Sequence, residues 1–151
     1  MKIEGIKNFI VQEVVPKTIW KKFGRYSIRF VDKEMISIAQ AIRIRFNQPI
    51  TINNWHVGGS YQYSGYRPPD CCEGAFFSDH KMLLAYDIKV NGIPAPEVQH
   101  DIRIHWKSIY RDMGITAIED DTPTWTHVSR RLTQQNNLVI IPNPTKKQPK
   151  E

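Results

Sequence analysis

Residues 78–90 read SDHKMLLAYDIKV. Within it, LLAYDIKV is a strand that carries an acid, Asp87, and His80 stands just ahead of it. Upstream, Val57 to Phe77 is punctuated by Gly58, Gly59, Gly65, Pro68, Pro69 and Gly74, which predicts a long loop bearing Tyr61, Tyr63 and Tyr66. Loops of this length with aromatic residues are frequent binding surfaces. Before the loop, PITINNW reads as a strand, and Pro49 ends a helix that Asp32 can cap. That helix repeats Met35, Ile36, Ala39, Ile42 and Phe46 at a spacing of three to four, the mark of a face packed on a core. Downstream, Pro94 and Pro96 open a second helix with Val98, Ile102, Ile109 and Met113 on one side, stopped by Gly114. ITAIE, TWTHVSR and LVII then read as short strands, and TKKQPKE as a frayed tail. Helices segregated from a run of closely connected strands predict an α+β fold, a small and mostly antiparallel sheet with flanking helices. We expect one domain over residues 1–141 and a flexible tail over 142–151.

The totals agree with a chain that folds alone. At 151 residues it can bury a core without disulfides, and 40% hydrophobic with 24% charged residues lies near globular averages. Its two cysteines, Cys71 and Cys72, are adjacent, so they neither staple distant segments nor show the gap of a zinc pair. A net charge of +6 and a pI near 9.4 would draw the surface to polyanions. No basic helix, finger spacing or aromatic-basic RNA motif accompanies the charge, so no specific nucleic-acid contact is expected. No stretch has the length of a membrane span and no signal peptide is evident, which predicts synthesis in the cytoplasm and no membrane insertion.

Chemistry concentrates in His80, Asp87 and His127. A catalytic zinc site needs about three nitrogen or oxygen ligands and one open position. On the TWTHVSR strand, Trp125, His127 and Ser129 share a face, so His127 can enter a cleft beside an aromatic ring. By spacing alone, an ordinary surface or hydrogen-bonded role is the commoner fate of such residues.

The joint pattern is more specific. SGYR (Ser64 to Arg67), SDHKMLLAYD (Ser78 to Asp87) and WTH (Trp125 to His127) occur in this order over a stretch of about residues 30 to 133. Together they resemble the D-alanyl-D-alanine carboxypeptidase and L-alanyl-D-glutamate endopeptidase family of zinc peptidases. Its members include phage lysis enzymes and the vancomycin-resistance dipeptidases, and its pattern is SGYR-like, SxHxxGxAxD and aromatic-x-His.

The resemblance implies a zinc peptidase fold, Zn2+ on His80, Asp87 and His127, and Arg67 against the substrate carbonyl or carboxylate. It implies hydrolysis of a peptide bond in the peptidoglycan stem, by a phage endolysin or a wall-degrading enzyme carried in the virion. The partners would then be wall peptide and other virion proteins. Tyr66, Trp125 and His56 are further candidates for the substrate cleft, His56 being equally readable as structural. Three departures accompany the match. The glutamate three residues before the last histidine is Thr124, the family glycine is Leu83, and the acid after the last histidine is Ser129. Glu119, at the end of ITAIE, is the expected general base in place of Thr124. Leu83 is expected to reshape the cleft floor or to narrow it. The alternative is an inactive peptidase fold kept as a virion structural or wall-binding protein, and a basic nucleic-acid binder is a third reading.

Overall fold

The computed structural model describes residues 1–143, so the expected tail lies outside the described residues from 144 onward. Along the described chain run α1 (Lys17–Phe23), α2 (Lys33–Phe46), β1 (Ile50–Thr51), β2 (Ala85–Val90), α3 (Ala95–His105), β3 (Ala117–Glu119), β4 (Thr126–Ser129) and β5 (Val139–Ile141). The fold is α+β. The five strands form one sheet in the order β1-β2-β4-β3-β5, antiparallel throughout except for the parallel β3–β5 pair at the edge.

Helix α2 starts where its cap predicts. Asp32 Oδ1 accepts from the Met35 N–H at 2.8 Å and from Arg130 Nη1 at 3.1 Å. A cap of this kind contributes about 1 kcal/mol. The helix stops at Asn47, which takes the left-handed conformation just ahead of Pro49. Its buried face, Met35, Ile36, Ala39 and Ile42, joins Val98 and Ile102 of α3 in one hydrophobic cluster.

The sheet completes that cluster with one face only. Side chains alternate along a strand, so Tyr86, Ile88 and Val90 of β2, Val128 of β4 and Ile118 of β3 all enter the core. The other face carries Asp87 and Lys89, His127 and Ser129, and Glu119. Burial is thus assigned to one side of the sheet and chemistry to the other.

Two elements differ from expectation. The strand predicted over PITINNW pairs only through Ile50 and Thr51, because the Asn53 N–H turns away to donate to the Glu13 carbonyl at 2.9 Å. The second helix does not continue to Gly114 as a regular helix. After His105 it widens into a π-helical turn over Trp106–Tyr110, closed by the Arg111 N–H on the Trp106 carbonyl at 2.7 Å. A wide turn shifts the helical phase, and the buried residues there become Trp106 and Tyr110, with Ile109 and Met113 only partly covered. The cluster also takes in Ile3, Phe9, Val11, Val14 and Val15, ahead of the stretch that carries the motifs. Among the described residues, no helix is long and apolar enough to cross a membrane.

Candidate metal centre

Strand register assembles the polar face into rows. Asp87 of β2 pairs with His127 of β4. Extending the Ile118–Val128 pairing by one residue sets Glu119 of β3 on the far side of His127. One row across three strands therefore reads Asp87, His127, Glu119.

His80 comes from the turn before β2. That turn is closed by the Lys81 N–H on the Ser78 carbonyl at 2.9 Å and the Met82 N–H on the Asp79 carbonyl at 3.2 Å. It exits through Leu83 with φ of +63°, the left-handed region. A residue with a Cβ is disfavoured there by about 1–2 kcal/mol, which explains why a glycine suits the position. Leu83 does not narrow the cleft as expected: its side chain turns to the hydrophobic core and lines neither cavity described below.

The SGYR segment docks on the edge of β2 where β1 has ended. The Asp87 N–H donates to the Ser64 carbonyl at 2.7 Å, and the Tyr66 N–H donates to the Val14 carbonyl at 2.8 Å. Between these anchors the Gly65 carbonyl lies 2.8 Å from His80 Nδ1. A carbonyl only accepts, so Nδ1 carries a proton, and in the neutral ring Nε2 is the nitrogen left with its lone pair. Arg67 Nη2 donates to Asp87 Oδ2 at 2.9 Å while its Nε donates to the Tyr63 carbonyl at 2.7 Å.

His80 Nε2 stands 3.2 Å and His127 Nδ1 2.8 Å from the same carboxylate oxygen, Asp87 Oδ1. All three residues are buried, and one ligand atom from each lies within 4.8 Å of the others. Ligands on a tetrahedral ion with bonds of about 2.0–2.1 Å are separated by about 3.3 Å. The donor set is thus drawn together at close to coordination spacing. A neutral His80 would turn a lone pair on an anionic oxygen at 3.2 Å in a buried setting, a repulsion that either a proton on Nε2 or a metal ion between the two relieves. Burial pushes the His80 imidazole below its usual range, against the pull of Asp87. Burial also pushes the Asp87 carboxyl up, but the charges and hydrogen bonds of His80 and His127 outweigh it and hold it far below the carboxylate range. A neutral imidazole and an ionised carboxylate are the forms that ligate metal. These residues could hold a metal ion.

No family model, curated protein or solved structure matches the chain. The geometry of the described residues is what bears on function.

His80, Asp87 and His127 open into a cavity of ≈ 410 Å³, which Arg67, Glu119 and Trp125 also line and which Phe77, Ile141 and Pro142 wall with apolar surface. Burial raises the Glu119 carboxyl, opposed by the charge of His127. Trp125 borders this cavity and a second one beside it. Thr124, by contrast, is exposed and lies beside Pro123 and Val90, outside both.

Two expected substrate contacts stand apart from the walls of these cavities. Tyr66 is buried and stacks on Phe30 at 4.9 Å between centroids, so it anchors the SGYR segment to the core and lines no cleft. His56 packs edge-on against Trp55, whose indole N–H holds the Val15 carbonyl at 2.9 Å, and it too is absent from both cavity walls. A loop rich in rings does not say which ring turns inward. The structure adds Asp79, which accepts from the Ser129 hydroxyl at 2.9 Å and from Arg131 Nε at 3.0 Å, placing a carboxylate beside Ser129. Its only sequence signal is adjacency to His80. Cys71 and Cys72 are free thiols, the first half-buried and the second exposed.

Gly65 is irreplaceable on steric grounds. A Cβ there would stand 2.1 Å from the Val14 carbonyl oxygen. Gly65→Ala is therefore expected to push the segment off Val14, costing about 1–3 kcal/mol. It should also displace the carbonyl that orients His80, weakening metal affinity about 10–100-fold. Urea denaturation and a zinc titration measure the two effects, and unchanged affinity would remove Gly65 from the ligand-orienting role.

Proposed function

We propose that the chain is a zinc-dependent peptidase with the fold its three motifs resemble, cutting a peptide bond in the peptidoglycan stem. The carrying observation is that His80, Asp87 and His127 open into the same cavity as the half-buried carboxylate of Glu119. Two imidazoles and one carboxylate with an open side form a donor set suited to catalytic zinc. A zinc ion held there would supply a Lewis acid for the scissile carbonyl and a water of lowered pKa.

The chain's own residues do the rest. Glu119 takes a proton from the attacking water and delivers it to the leaving amine, and burial moves its carboxyl toward the range such shuttling needs. Arg67 holds Asp87 in place and keeps a guanidinium at the cavity wall, where developing negative charge on the substrate would be stabilised. Trp125, Phe77 and Ile141 offer apolar contact for the peptide. The net charge of +6 suits a polyanionic wall, in keeping with a phage endolysin or a virion-borne wall-degrading enzyme.

A second reading is an inactive peptidase fold that serves as a virion structural or wall-binding protein. Its support is that Arg67 commits two of its nitrogens to Asp87 and Tyr63. One experiment separates the two. The purified protein is expected to hold about one zinc per chain and to release peptides from peptidoglycan until a chelator strips the metal. Bound zinc with peptidoglycan and D-Ala-D-Ala peptides left uncut would establish the second reading. A chain that takes up no zinc would overturn both.

A further inference from the structure

β2 carries a second charged residue on the polar face, two positions beyond Asp87. Alternate residues of a strand share a face at about 6.6–7 Å, so Lys89 stands one row along from the metal ligands. It pairs with Thr51 on one side, and extending the Ile88–Thr126 pairing by one residue sets it across from Trp125 on the other. Its Nζ lies 4.0 Å from the centroid of the Tyr61 ring. Lys89, Tyr61 and Trp125 line a cavity of ≈ 290 Å³ whose wall is shared, at Arg67 and Asp87, with the metal cavity.

The charges around Lys89 are unevenly committed. Asp87 is engaged by Arg67, His80 and His127. Glu73, the other acid of this cavity, is exposed at its rim. Among the described residues no carboxylate lies within salt-bridge distance of the Lys89 ammonium. The Tyr61 ring positions that ammonium by cation–π attraction without using up its three N–H donors. A half-buried cation so held is prepared for an anionic oxygen, because a charge-assisted hydrogen bond is strongest where water is partly excluded.

We propose that Lys89 is a specificity-determining residue of the cleft, binding a carboxylate that the substrate peptide carries one or two residues from the bond that is cut. The spacing between Asp87 and Lys89 equals two residue steps of an extended chain laid along β2. Two sources share this chemistry, the C-terminal carboxylate of a short peptide and the acidic side chain of a longer one. The location relative to a cut bond rests on the peptidase reading, whereas the carboxylate preference does not.

Binding of paired probes tests it, by calorimetry on the full chain with chelator present so that turnover cannot intervene. One pair is acetyl-Ala-Ala as free acid and as amide, and the other is acetyl-Ala-Glu-Ala-amide and its Gln counterpart, each in L and D forms. At least one acid is expected to bind about 10–100-fold tighter than its neutral partner. The gap should collapse in Lys89→Met, which keeps an apolar stem over Tyr61, and return in Lys89→Arg. The pair that shows it identifies a chain terminus or a side chain as the source. No gap in either pair, or a gap that survives in a folded Lys89→Met, overturns the proposal. A Lys89-dependent gap in a protein that cuts nothing when zinc is restored upholds the carboxylate site and removes the peptidase reading. Cleavage without any gap does the reverse.

Discussion

Replacing Asp87 with alanine is expected to abolish metal binding and to cost the metal-free chain about 3–5 kcal/mol. The two losses have different origins. Asp87 supplies the oxygen that both histidines face, so without it two imidazoles remain, too few for a stable zinc site. The stability loss comes from Arg67. Its side chain is only 14% exposed and is paired with Asp87, itself 13% exposed. Removing the carboxylate leaves a largely desolvated guanidinium without its counterion. Asp87→Asn separates the effects in part: it keeps the volume and an acceptor for Arg67 but not the counter-charge, so the metal-free stability should fall by less than in the alanine variant while zinc affinity falls steeply. Urea denaturation with zinc and with chelator checks both variants. The wild-type chain should gain about 2.7 kcal/mol when free zinc is one hundred times its dissociation constant, and the alanine variant nothing. An alanine variant that still gains that stabilisation would mean the ion is held elsewhere.

Glu119→Gln is expected to lower turnover by about 10²–10⁴-fold while leaving zinc content unchanged. The amide has the shape of the acid but cannot take up a proton. Of the three adjacent acids only Glu119 reaches the metal cavity. Asp120 pairs with Arg103, and Asp120 and Asp121 line a separate depression next to α3. Strand alternation explains the split, since Glu119 ends β3 on the polar face and the next residue turns off it. The measurement is peptide release per bound zinc. A rate equal to wild type would take the proton-transfer role away from Glu119, and Asp79, which lines the same cavity and is engaged by Ser129 and Arg131, would then be the acid to examine.

Much of the frame was legible from periodicity. Met35, Ile36, Ala39 and Ile42 repeat as a packed helix must, and the Asp32 cap makes the bond its position predicts. The end of β1 was not legible, because what takes Asn53 out of the ladder is a carbonyl forty residues earlier, at Glu13. Nor was the π-helical turn, since a five-residue hydrogen bond leaves no mark in the spacing of apolar residues. At the site, His80, Asp87 and His127 stood out through ordered motifs, and the structure brings them together as a group that could hold a metal ion. Lys89, Asp79 and Arg131 needed strand register or a fold-dependent approach, which a linear reading does not supply. Tyr66 and His56 stand outside the cavity walls for the converse reason: ring content marks a stretch as interesting without telling which of its rings pack against the core or against a neighbour.

The strand at the sheet edge gives the cavity a separable wall. The antiparallel pairing of β2, β3 and β4 sets Asp87, His127 and Glu119 in one row without any contribution from β5. Ile141 and Pro142, which wall the same cavity, come with β5, which pairs with β3 at the edge of the sheet. The residues that could hold an ion and the apolar wall beside them thus belong to different parts of the sheet, so substitutions on β5 can reshape the cavity without touching the cluster.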